Sequence, residues 1–281
     1  MRNMVVFGNC QGYKLKELLS AVLPASEFDI SYFSNNIKSG YMKPNQEILS
    51  EIGECDILIY QPLSDSHGEL CDENIRKIIK SKCKVISFPY IFNSGTYSLS
   101  HAPCYNGHRY GFIFGEEVII DLLKSGKSKE DIIHDYRKGA IDFNLTARFN
   151  KCLTEMKRRE LSTDIKLSEF ISHNYNKAKF FITHNHPSNI VFHEMIRQIM
   201  TIVPLPIDQS KIQKSAIPDL PETTCPITPH DITTHSYQFK THEDWFIKGS
   251  SLIELIADNY WIESIKPEPT SENKIFQPLE P

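Results

Sequence analysis

The residue with the clearest chemical potential is Cys10, which lies in the segment Gly8-Asn9-Cys10-Gln11-Gly12. The segment follows a short apolar run and precedes leucines at helical spacing, a pattern that predicts a strand-to-helix turn. A helix start offers free N–H groups and partial positive charge, which lower the pKa of a thiol and stabilise an oxyanion. We therefore predict a nucleophilic Cys10 with a depressed pKa, assisted by the backbone N–H groups of Cys10 and Gln11. The alternative is that Cys10 is a small buried hydrophobe beside a turn.

A second polar concentration spans residues 183–189 and contains His184, His186 and Asn189. It follows an apolar run and precedes a helical pattern, with Pro187 near the predicted first position of the helix. A nucleophilic thiol needs a base within hydrogen-bond reach, and we predict His186 for this role, with His184 as the second choice. Asn189 is a candidate donor to the oxyanion. Two histidines at this spacing also resemble a metal pair, but no further ligand cluster accompanies them, so no metal is predicted.

Two further loops follow apolar runs and are expected at the same edge of the sheet. In the turn 61–67, Ser64 and Asp65 are candidates for orienting a substrate, with Ser64 also a candidate donor to the oxyanion. The same residues are typical of an ordinary surface loop, and that interpretation is preferred. The aromatic loop 88–95 is expected to wall a pocket, and Arg109 is a candidate for binding a phosphate. The preferred alternative for Arg109 is a solvated charge beside core aromatics.

The elements that position these residues follow from hydrophobic periodicity. Short apolar runs predict strands at residues 5–7, 28–33, 57–60, 85–88 and 180–183, with amphipathic helical segments between the first four. Strand–helix units of this kind predict an α/β fold, in which helices flank a parallel sheet on both faces in three layers, as in flavodoxin-like folds. An extra helical segment in the middle and an irregular C-terminal part complete the predicted fold.

The predicted organisation is one α/β catalytic domain over residues 1–203, followed by less regular chain. Prolines beyond this point, among them Pro229, predict an extended segment, and a last helix is expected at about Ser251 to Tyr260. Residues 204–265 are therefore expected to form an extended segment and a helix packed on the domain. Residues 266–281 are polar and proline-rich and are expected to form a disordered tail.

The overall composition excludes several classes of protein. The 281 residues carry a net charge of -4, which argues against general binding of nucleic acid, because that requires a basic surplus. No apolar stretch approaches the ~20 residues that span a bilayer, so no transmembrane segment is predicted, and the start does not resemble a signal peptide. The seven cysteines are scattered, which predicts free thiols rather than a disulfide framework and favours a cytoplasmic protein.

Four motifs, each at a predicted strand end, together resemble those of the WcbI family. They are Gly8-Asn9-Cys10-Gln11, the Tyr60-Gln61-Pro62 turn with Ser64-Asp65, the loop Phe88-Pro89-Tyr90-Ile91-Phe92, and His186-Pro187-Ser188-Asn189. The family is regarded as acetyltransferases of capsular and exopolysaccharide biosynthesis that bind coenzyme A, so the resemblance implies a cysteine–histidine site and an acetyl-CoA donor. The layout is also similar to that of SGNH hydrolases, where a serine occupies the place of Cys10. Asn9 and Cys10 depart from the Gly-Asp-Ser pattern of those enzymes, which argues against simple ester hydrolysis.

The residues and the resemblance together predict transfer of an acyl group from coenzyme A to a hydroxyl of a sugar or glycan acceptor. In this prediction Cys10 attacks the thioester and His186 accepts the thiol proton. A direct transfer, with His186 as base and no acyl-enzyme, fits the sequence equally well. The alternatives are an SGNH-type esterase or thioesterase, and a non-catalytic protein that binds CoA or a nucleotide sugar.

Coenzyme A carries phosphates, and the sequence has neither a G-x-G-x-x-G motif nor a P-loop to bind them. Positive charge and free N–H groups are available at the helix start at Gly12, at Lys14 and at Arg109, so we predict these residues for the phosphates. The aromatic residues Tyr90, Phe92 and Tyr110 are predicted to cover the adenine.

Overall fold

The parallel sheet expected from the sequence is present in the computed structural model. The structure describes residues 1–36, 45–101, 112–114, 116–207, 211–212, 219, 225, 227–239, 246–247 and 250–251. Within them, four parallel strands form one sheet: β1 (Arg2–Gly8), β2 (Phe28–Ser34), β3 (Ile57–Tyr60) and β4 (Lys84–Ser87). The predicted α/β class, a parallel sheet flanked by helices, is confirmed.

The order of the strands identifies the edge at which a ligand is expected. The order is β2-β1-β3-β4, so the chain moves from β1 outward to β2 and then crosses back to β3 on the other side. Phe7 lies opposite Tyr60 in the register of β1 and β3, so these two strands end side by side. Open α/β sheets bind ligands beyond the carboxyl ends of their strands, at this point of reversal. The turns that follow β1 and β3 occupy that position.

The two faces of β1 are covered by different helices because its side chains alternate in direction. Val5 and Phe7 belong to a core that includes Ile48, Ile52 and Ile75. The helices that carry these three residues are α2 (Asn45–Glu54) and α3 (Asp72–Ile78). On the opposite face Val6 approaches Gly12 of α1 (Cys10–Val22). Each fully buried aliphatic side chain contributes about 1.5–3 kcal/mol, so the strand that leads to Cys10 is firmly held.

The chain contacts divide the molecule into two compact units, each made of two stretches. The first unit comprises Met1–Thr96 and Ala147–Thr223 and contains the sheet, and the second comprises Tyr97–Thr146 and Thr224–Pro281. The remaining elements are a 3₁₀ helix (Asp65–Leu70), β5 (Ser100–His101), β6 (Phe112–Phe114), α4 (Glu116–Lys124), α5 (Lys129–Lys138), α6 (Leu145–Glu160), α7 (Ser168–Asn174), β7 (Phe181–Thr183), β8 (His186–Pro187), α8 (Asn189–Ile202), α9 (Pro229–His235), β9 (Phe246–Ile247) and β10 (Ser250–Ser251). The domain boundary at residue 203 stays a prediction.

The predicted fifth strand forms, but it does not join the parallel sheet. Strand β7 pairs antiparallel with β8, so the histidine segment folds back on the strand that precedes it. Pro187 is therefore the last residue of β8 and not the first residue of a helix, and α8 begins two residues later behind Ser188. An apolar run has the same appearance in both kinds of pairing, so hydrophobic periodicity does not predict the hairpin.

The proline-containing segment also differs from the prediction of an extended chain. Pro229 is the first residue of α9, and Thr228 caps that helix together with the buried Asp231. A proline is well tolerated at this position because its missing N–H has no partner in a helix start. Ser251 lies in β10, and the rest of the helix expected up to Tyr260 lies outside the described residues, as does the tail 266–281.

The loop that follows β4 is fixed in place by two contacts. The backbone N–H and the hydroxyl of Ser87 both donate to Asp164 Oδ2, at 2.7 Å in each case. Farther along, Gly95 packs so closely on the backbone of α6 that a Cβ atom there would lie 2.1 Å from Phe149 N. Because only glycine fits this approach, the loop between these two points is anchored to Asp164 at one end and to α6 at the other.

Two general absences hold for the described part of the chain. No helix among these residues is long and apolar enough to cross a membrane. Nor do the described ranges contain a group of three or more histidine, cysteine, aspartate or glutamate side chains arranged to hold a metal ion.

Candidate active site

Cys10 is the first residue of α1, and only Asn9 separates it from Gly8 at the end of β1. Asn9 caps the helix, because its Oδ1 accepts a hydrogen bond from Gln11 N at 2.9 Å. The N–H of Asn9 in turn donates to Gln61 Oε1 at 2.9 Å. The cap and the residue after β3 therefore fix the turn that carries the thiol, at the reversal point of the sheet.

The side chain of Gln11 joins this turn to two other segments. It is fully buried, at 0 % exposure, and its Nε2 donates to Ile91 O at 2.6 Å and to Asn185 O at 2.8 Å. Its Oε1 accepts from Ile91 N at 3.0 Å and from Gln61 Nε2 at 3.3 Å. Both amide hydrogens and both lone pairs are therefore used, so the side chain of Gln11 holds the site together and has no capacity left for a substrate.

The two histidines lie on the hairpin formed by β7 and β8, on either side of Asn185. Asn93 N donates to His184 O at 2.7 Å, and Gln11 Nε2 donates to Asn185 O. The loop after β4 and helix α1 therefore both hold the tip of the hairpin through hydrogen bonds. The ring of His184 also packs edge-on against Phe92, with 5.3 Å between the ring centroids. The hairpin thus brings the backbone between His184 and His186 to the residue that follows Cys10.

Burial keeps both imidazoles neutral. It lowers the pKa of His184 to about 4, with further lowering by the nearby charges of His186 and Arg148. It also lowers the pKa of His186. A neutral imidazole is the form that accepts a proton, so both side chains are in the correct state for a general base.

The expected depression of the Cys10 pKa is wrong for the chain without a bound substrate. Burial raises the pKa of the thiol to about 11, and hydrogen bonds from the backbone N–H groups of Gln11 and Cys10 oppose this rise only in part. The loss of hydration therefore outweighs the effect of the helix start. Cys10 is a neutral thiol at neutral pH.

Two tyrosines flank the thiol. Burial raises the pKa of Tyr90 to about 12, with a further contribution from Cys10, while a hydrogen bond with Asn185 opposes the rise. Burial and Cys10 likewise raise the pKa of Tyr32, whose hydroxyl donates to Gly8 O and Asn9 O at 3.1 Å. The guanidinium of Arg159 lies 5.5 Å from the centre of the Tyr90 ring. Cys10 therefore has two aromatic hydroxyl groups in its surroundings, in addition to the histidine hairpin.

The other predicted site residues have varied positions. Ser64 and Asp65 are exposed, and Ser64 Oγ is engaged locally with Ser66 Oγ at 2.8 Å. Asn189 begins α8, and its N–H donates to Asp219 Oδ1 at 2.5 Å.

The residues predicted to bind coenzyme A lie partly within α1. Gly12 and Lys14 are both buried in this helix, and Lys14 is only 1 % exposed. Arg109 and Tyr110 lie outside the described residues.

The prediction of site residues missed Gln61, Asn185 and Tyr32. Gln61 was visible at the end of β3, but its side chain points back to the Cys10 turn only because β1 and β3 are neighbours in the sheet. Asn185 contributes its backbone carbonyl to Gln11 and its side chain to Tyr90, and both contacts depend on the hairpin. Tyr32 lies within β2, and nothing in the surrounding sequence distinguishes it from other strand residues.

Comparison with known protein families matches residues 3–206 to the model of the polysaccharide biosynthesis enzyme WcbI. Among solved structures, the chain is similar to one described as WcbI, a novel polysaccharide biosynthesis enzyme, in its native form without a disulfide bond between CoA and a cysteine. The two chains are 17% identical with a TM-score of 0.71, and the match covers 95% of this chain and 91% of the other. This likeness shows a shared fold. No curated protein matches the chain.

The importance of the buried amide is tested by replacing Gln11 with glutamate. The Gln11→Glu variant places carboxylate oxygens against two carbonyl groups, so the free energy of unfolding should fall by about 3 kcal/mol or more. Gln198 is a matched control, because it binds the backbone N–H and carbonyl of Lys166 in the same way but near the surface. Gln198→Glu should cost about 1 kcal/mol or less in urea unfolding. Equal costs for the two variants would show that Gln11 is not the constraint described here.

The ionisation state of Cys10 predicts an order of thiol alkylation. At pH 7 only about one Cys10 side chain in 10⁴ is a thiolate. A hydrogen bond from Cys55 lowers the pKa of the partly exposed Cys83. Iodoacetamide should therefore modify Cys83 well before Cys10, and peptide mapping by mass spectrometry reports the order. Preferential labelling of Cys10 in the substrate-free protein would contradict the raised pKa.

Proposed function

Because the chain belongs to the WcbI family of polysaccharide biosynthesis enzymes, we propose that it transfers an acyl group from coenzyme A to a sugar hydroxyl at Cys10. One observation carries the proposal: the hydrogen bond from Gln11 Nε2 to Asn185 O, at 2.8 Å. It ties the turn that presents the thiol to the hairpin that presents two neutral imidazoles. A thiol with a nearby base is the arrangement that acyl transfer through cysteine requires.

Coenzyme A is the proposed acyl donor, and acetyl is the proposed acyl group. The similar WcbI structure is described by the absence of a disulfide between CoA and a cysteine, a bond that requires the CoA sulfur beside a protein thiol. We assign the corresponding place in this chain to Cys10, since it lies at the reversal point of the sheet. Tyr90 and Phe92, with 6.0 Å between their ring centroids, supply an aromatic surface for the donor next to the thiol.

The ionisation states of the Cys10 thiol and the histidine determine when the proton moves in the first chemical step. Moving the proton from the Cys10 thiol to the His184 imidazole would produce a thiolate and an imidazolium. This transfer would cost on the order of 10 kcal/mol, without counting the attraction between the two charges that it creates. Deprotonation therefore accompanies attack on the thioester and does not precede it. As the bond from the Cys10 sulfur to the acyl carbon forms, the bond to the CoA sulfur breaks, and the histidine passes the thiol proton to that leaving sulfur.

The second step returns the enzyme to its starting state. The oxygen of the sugar hydroxyl attacks the acyl carbon, the bond to Cys10 breaks, and the hydroxyl proton passes through the histidine to the sulfur. His186 is the proposed base, and His184, on the same hairpin, is the second candidate. A direct transfer uses the same histidine without an acyl-enzyme.

The N–H groups that approach the Cys10 sulfur are the proposed donors to the oxyanion. Those of Cys10 and Gln11 both lower the pKa of the thiol by hydrogen bonding, so they lie beside the sulfur. We propose that they bind the acyl oxygen once the sulfur attacks the carbonyl carbon and the negative charge develops on that oxygen. The N–H of Gln11 also serves the Asn9 cap, which makes the N–H of Cys10 the principal donor. Asn189, Ser64 and Asp65 keep their predicted auxiliary roles as proposals.

The proposed binding of the CoA phosphates uses the positively charged and N–H groups predicted from the sequence. Of these groups, Arg109 is kept for the CoA phosphates, because Gly12 and Lys14 follow Cys10 by only two and four residues in α1 and the pantetheine arm separates the CoA sulfur from the phosphates. The proposed acceptor is a sugar of a capsular or exopolysaccharide precursor. The reaction is proposed to take place in the cytoplasm, where acetyl-CoA is present. An esterase of the SGNH type would use the same thiol and histidine with water as the acceptor.

Replacement of the proposed nucleophile and bases tests this function. Cys10→Ala should lower the rate of acetyl transfer by about 10²-fold or more, because it removes the attacking group, while CoA still binds. Between His184→Gln and His186→Gln, the variant at the base should lower kcat with little change in CoA affinity. Transfer is followed as acetyl-CoA consumed with and without a sugar acceptor.

The same assay separates the alternatives. Cys83→Ala is the matched control, since Cys83 lies at the opposite end of the sheet, before β4, and this variant should keep full activity. Undiminished transfer by Cys10→Ala would remove the proposed site. Consumption of acetyl-CoA at the same rate without any acceptor would instead identify a thioesterase.

A further inference from the structure

The start of α8 contains a buried hydroxyl group whose hydrogen-bonding capacity is unused. Ser188 stands at the N-cap position, where a serine usually accepts a hydrogen bond from a helix N–H, but its side chain makes no such bond. It is only 3 % exposed, and among the described residues its Oγ has no hydrogen-bond partner. A buried polar atom without a partner costs about 1–3 kcal/mol, so its presence points to a ligand that completes the site.

A second such atom lies one helical turn farther along. His193 Nε2 is buried and also has no hydrogen-bond partner within the described ranges. His193 follows Asn189 by four residues, so the two side chains lie on the same face of α8. One group without a partner, Ser188 Oγ, therefore lies at the N-cap of α8, and the other, His193 Nε2, lies on the helix face that carries Asn189.

Positive charge is close to these groups. Lys14 is almost fully buried, and burial lowers its pKa, while the nearby Glu17 and Asp219 raise it. The charge of Lys14 also acts on His193, whose pKa burial lowers and Asp219 raises. Lys14, His193 and Asp219 therefore lie within electrostatic reach of one another, and helices α1 and α8 are in contact.

A carboxylate already sits at this helix start. Asp219 Oδ1 accepts the N–H of Asn189 at 2.5 Å, and Asp219 is itself exposed. The first N–H groups of a helix and its dipole favour an anion at this position. Because an exposed side chain supplies the anion, a ligand can replace it without disturbing the core.

We propose that Lys14, Ser188, Asn189 N–H and His193 form a binding site for the phosphate group of a phosphorylated sugar acceptor, which displaces the Asp219 carboxylate. This inference rests on the proposed acyl transfer to a sugar. A phosphate has enough acceptor oxygens to receive hydrogen bonds from Ser188 Oγ, Asn189 N and His193 Nε2 together. A carboxylate on Asn189 N alone leaves the other two donors unused.

The position of the site relative to Cys10 favours the acceptor over coenzyme A as the source of the phosphate. Lys14 follows Cys10 by one helical turn, which places their Cβ atoms about 5–6 Å apart. In coenzyme A the whole pantetheine arm separates the sulfur from the phosphates. In a sugar phosphate only the width of the sugar ring separates the phosphate from a hydroxyl, so a phosphate bound here leaves a hydroxyl near Cys10.

The test measures binding of glucose 1-phosphate, glucose, inorganic phosphate and coenzyme A by calorimetry. Glucose 1-phosphate should bind at least ~10-fold more tightly than glucose, because phosphate makes the main contacts. Ser188→Ala and His193→Gln should each weaken its binding by about 10-fold, and should weaken inorganic phosphate in parallel. Asp219→Asn should strengthen both by a similar factor, because it removes the competing carboxylate. The affinity for coenzyme A should stay within about two-fold in all three variants.

Two matched controls isolate the site from general effects. Asp121→Asn removes the same charge from an exposed position on α4, and Ser162→Ala removes an exposed hydroxyl; neither should change phosphate binding. Unchanged affinity for glucose 1-phosphate in Ser188→Ala and Asp219→Asn would overturn the proposal. Variants that weaken coenzyme A and spare glucose 1-phosphate would overturn the assignment to the acceptor.

Failure of the proposed function gives a different result. If the variants alter phosphate binding as described but no acetyl transfer occurs to any sugar phosphate, the phosphate site stands and the transferase does not. If transfer occurs and the variants leave phosphate affinity unchanged, the transferase stands and the phosphate site is overturned.

Discussion

The amide of Gln11 is the constraint on which the arrangement of the site depends. A planar amide presents two donors and two acceptor positions in fixed directions, and all are engaged with Ile91, Asn185 and Gln61. Because the group is buried, any movement of these segments leaves a polar atom without a partner. The segments that follow β1, β3, β4 and β7 are therefore fixed relative to one another by a single side chain, which follows the thiol of Cys10 directly in the sequence.

The same burial determines the chemistry of the thiol. A sulfur beside a helix start is ordinarily acidified, but loss of hydration raises the pKa of Cys10 to about 11 and lowers that of His184 to about 4. Both groups are neutral at neutral pH, so the thiol is not a reactive thiolate. A neutral thiol is less open to alkylation and oxidation than a thiolate, and in the proposed acyl transfer the proton would move in concert with attack on the thioester.

Features that depend on local periodicity could be predicted from the sequence. Features that depend on contacts between distant residues could not. The four strands and the Cys10 turn follow from the alternation of apolar runs and helical spacing, which is local information. The antiparallel pairing of Phe181 with Pro187 was not predicted, because an apolar run does not indicate which strand it pairs with. The direction of the Cys10 pKa was wrong because burial is a tertiary property. Prolines such as Pro229 predict an extended segment, yet Pro229 starts α9, because its ring fits the first position of a helix.

The most direct test of the account is to identify the group that carries the acyl chain during the reaction. Radiolabelled acetyl-CoA is mixed rapidly with the protein in the absence of an acceptor, the mixture is quenched in acid, and the peptides are mapped. The account predicts a label on the peptide that contains Cys10, released when a sugar acceptor is added before the quench. A protein that transfers acetyl groups at full rate while Cys10 carries no label at any time would contradict the proposed role of this thiol as nucleophile.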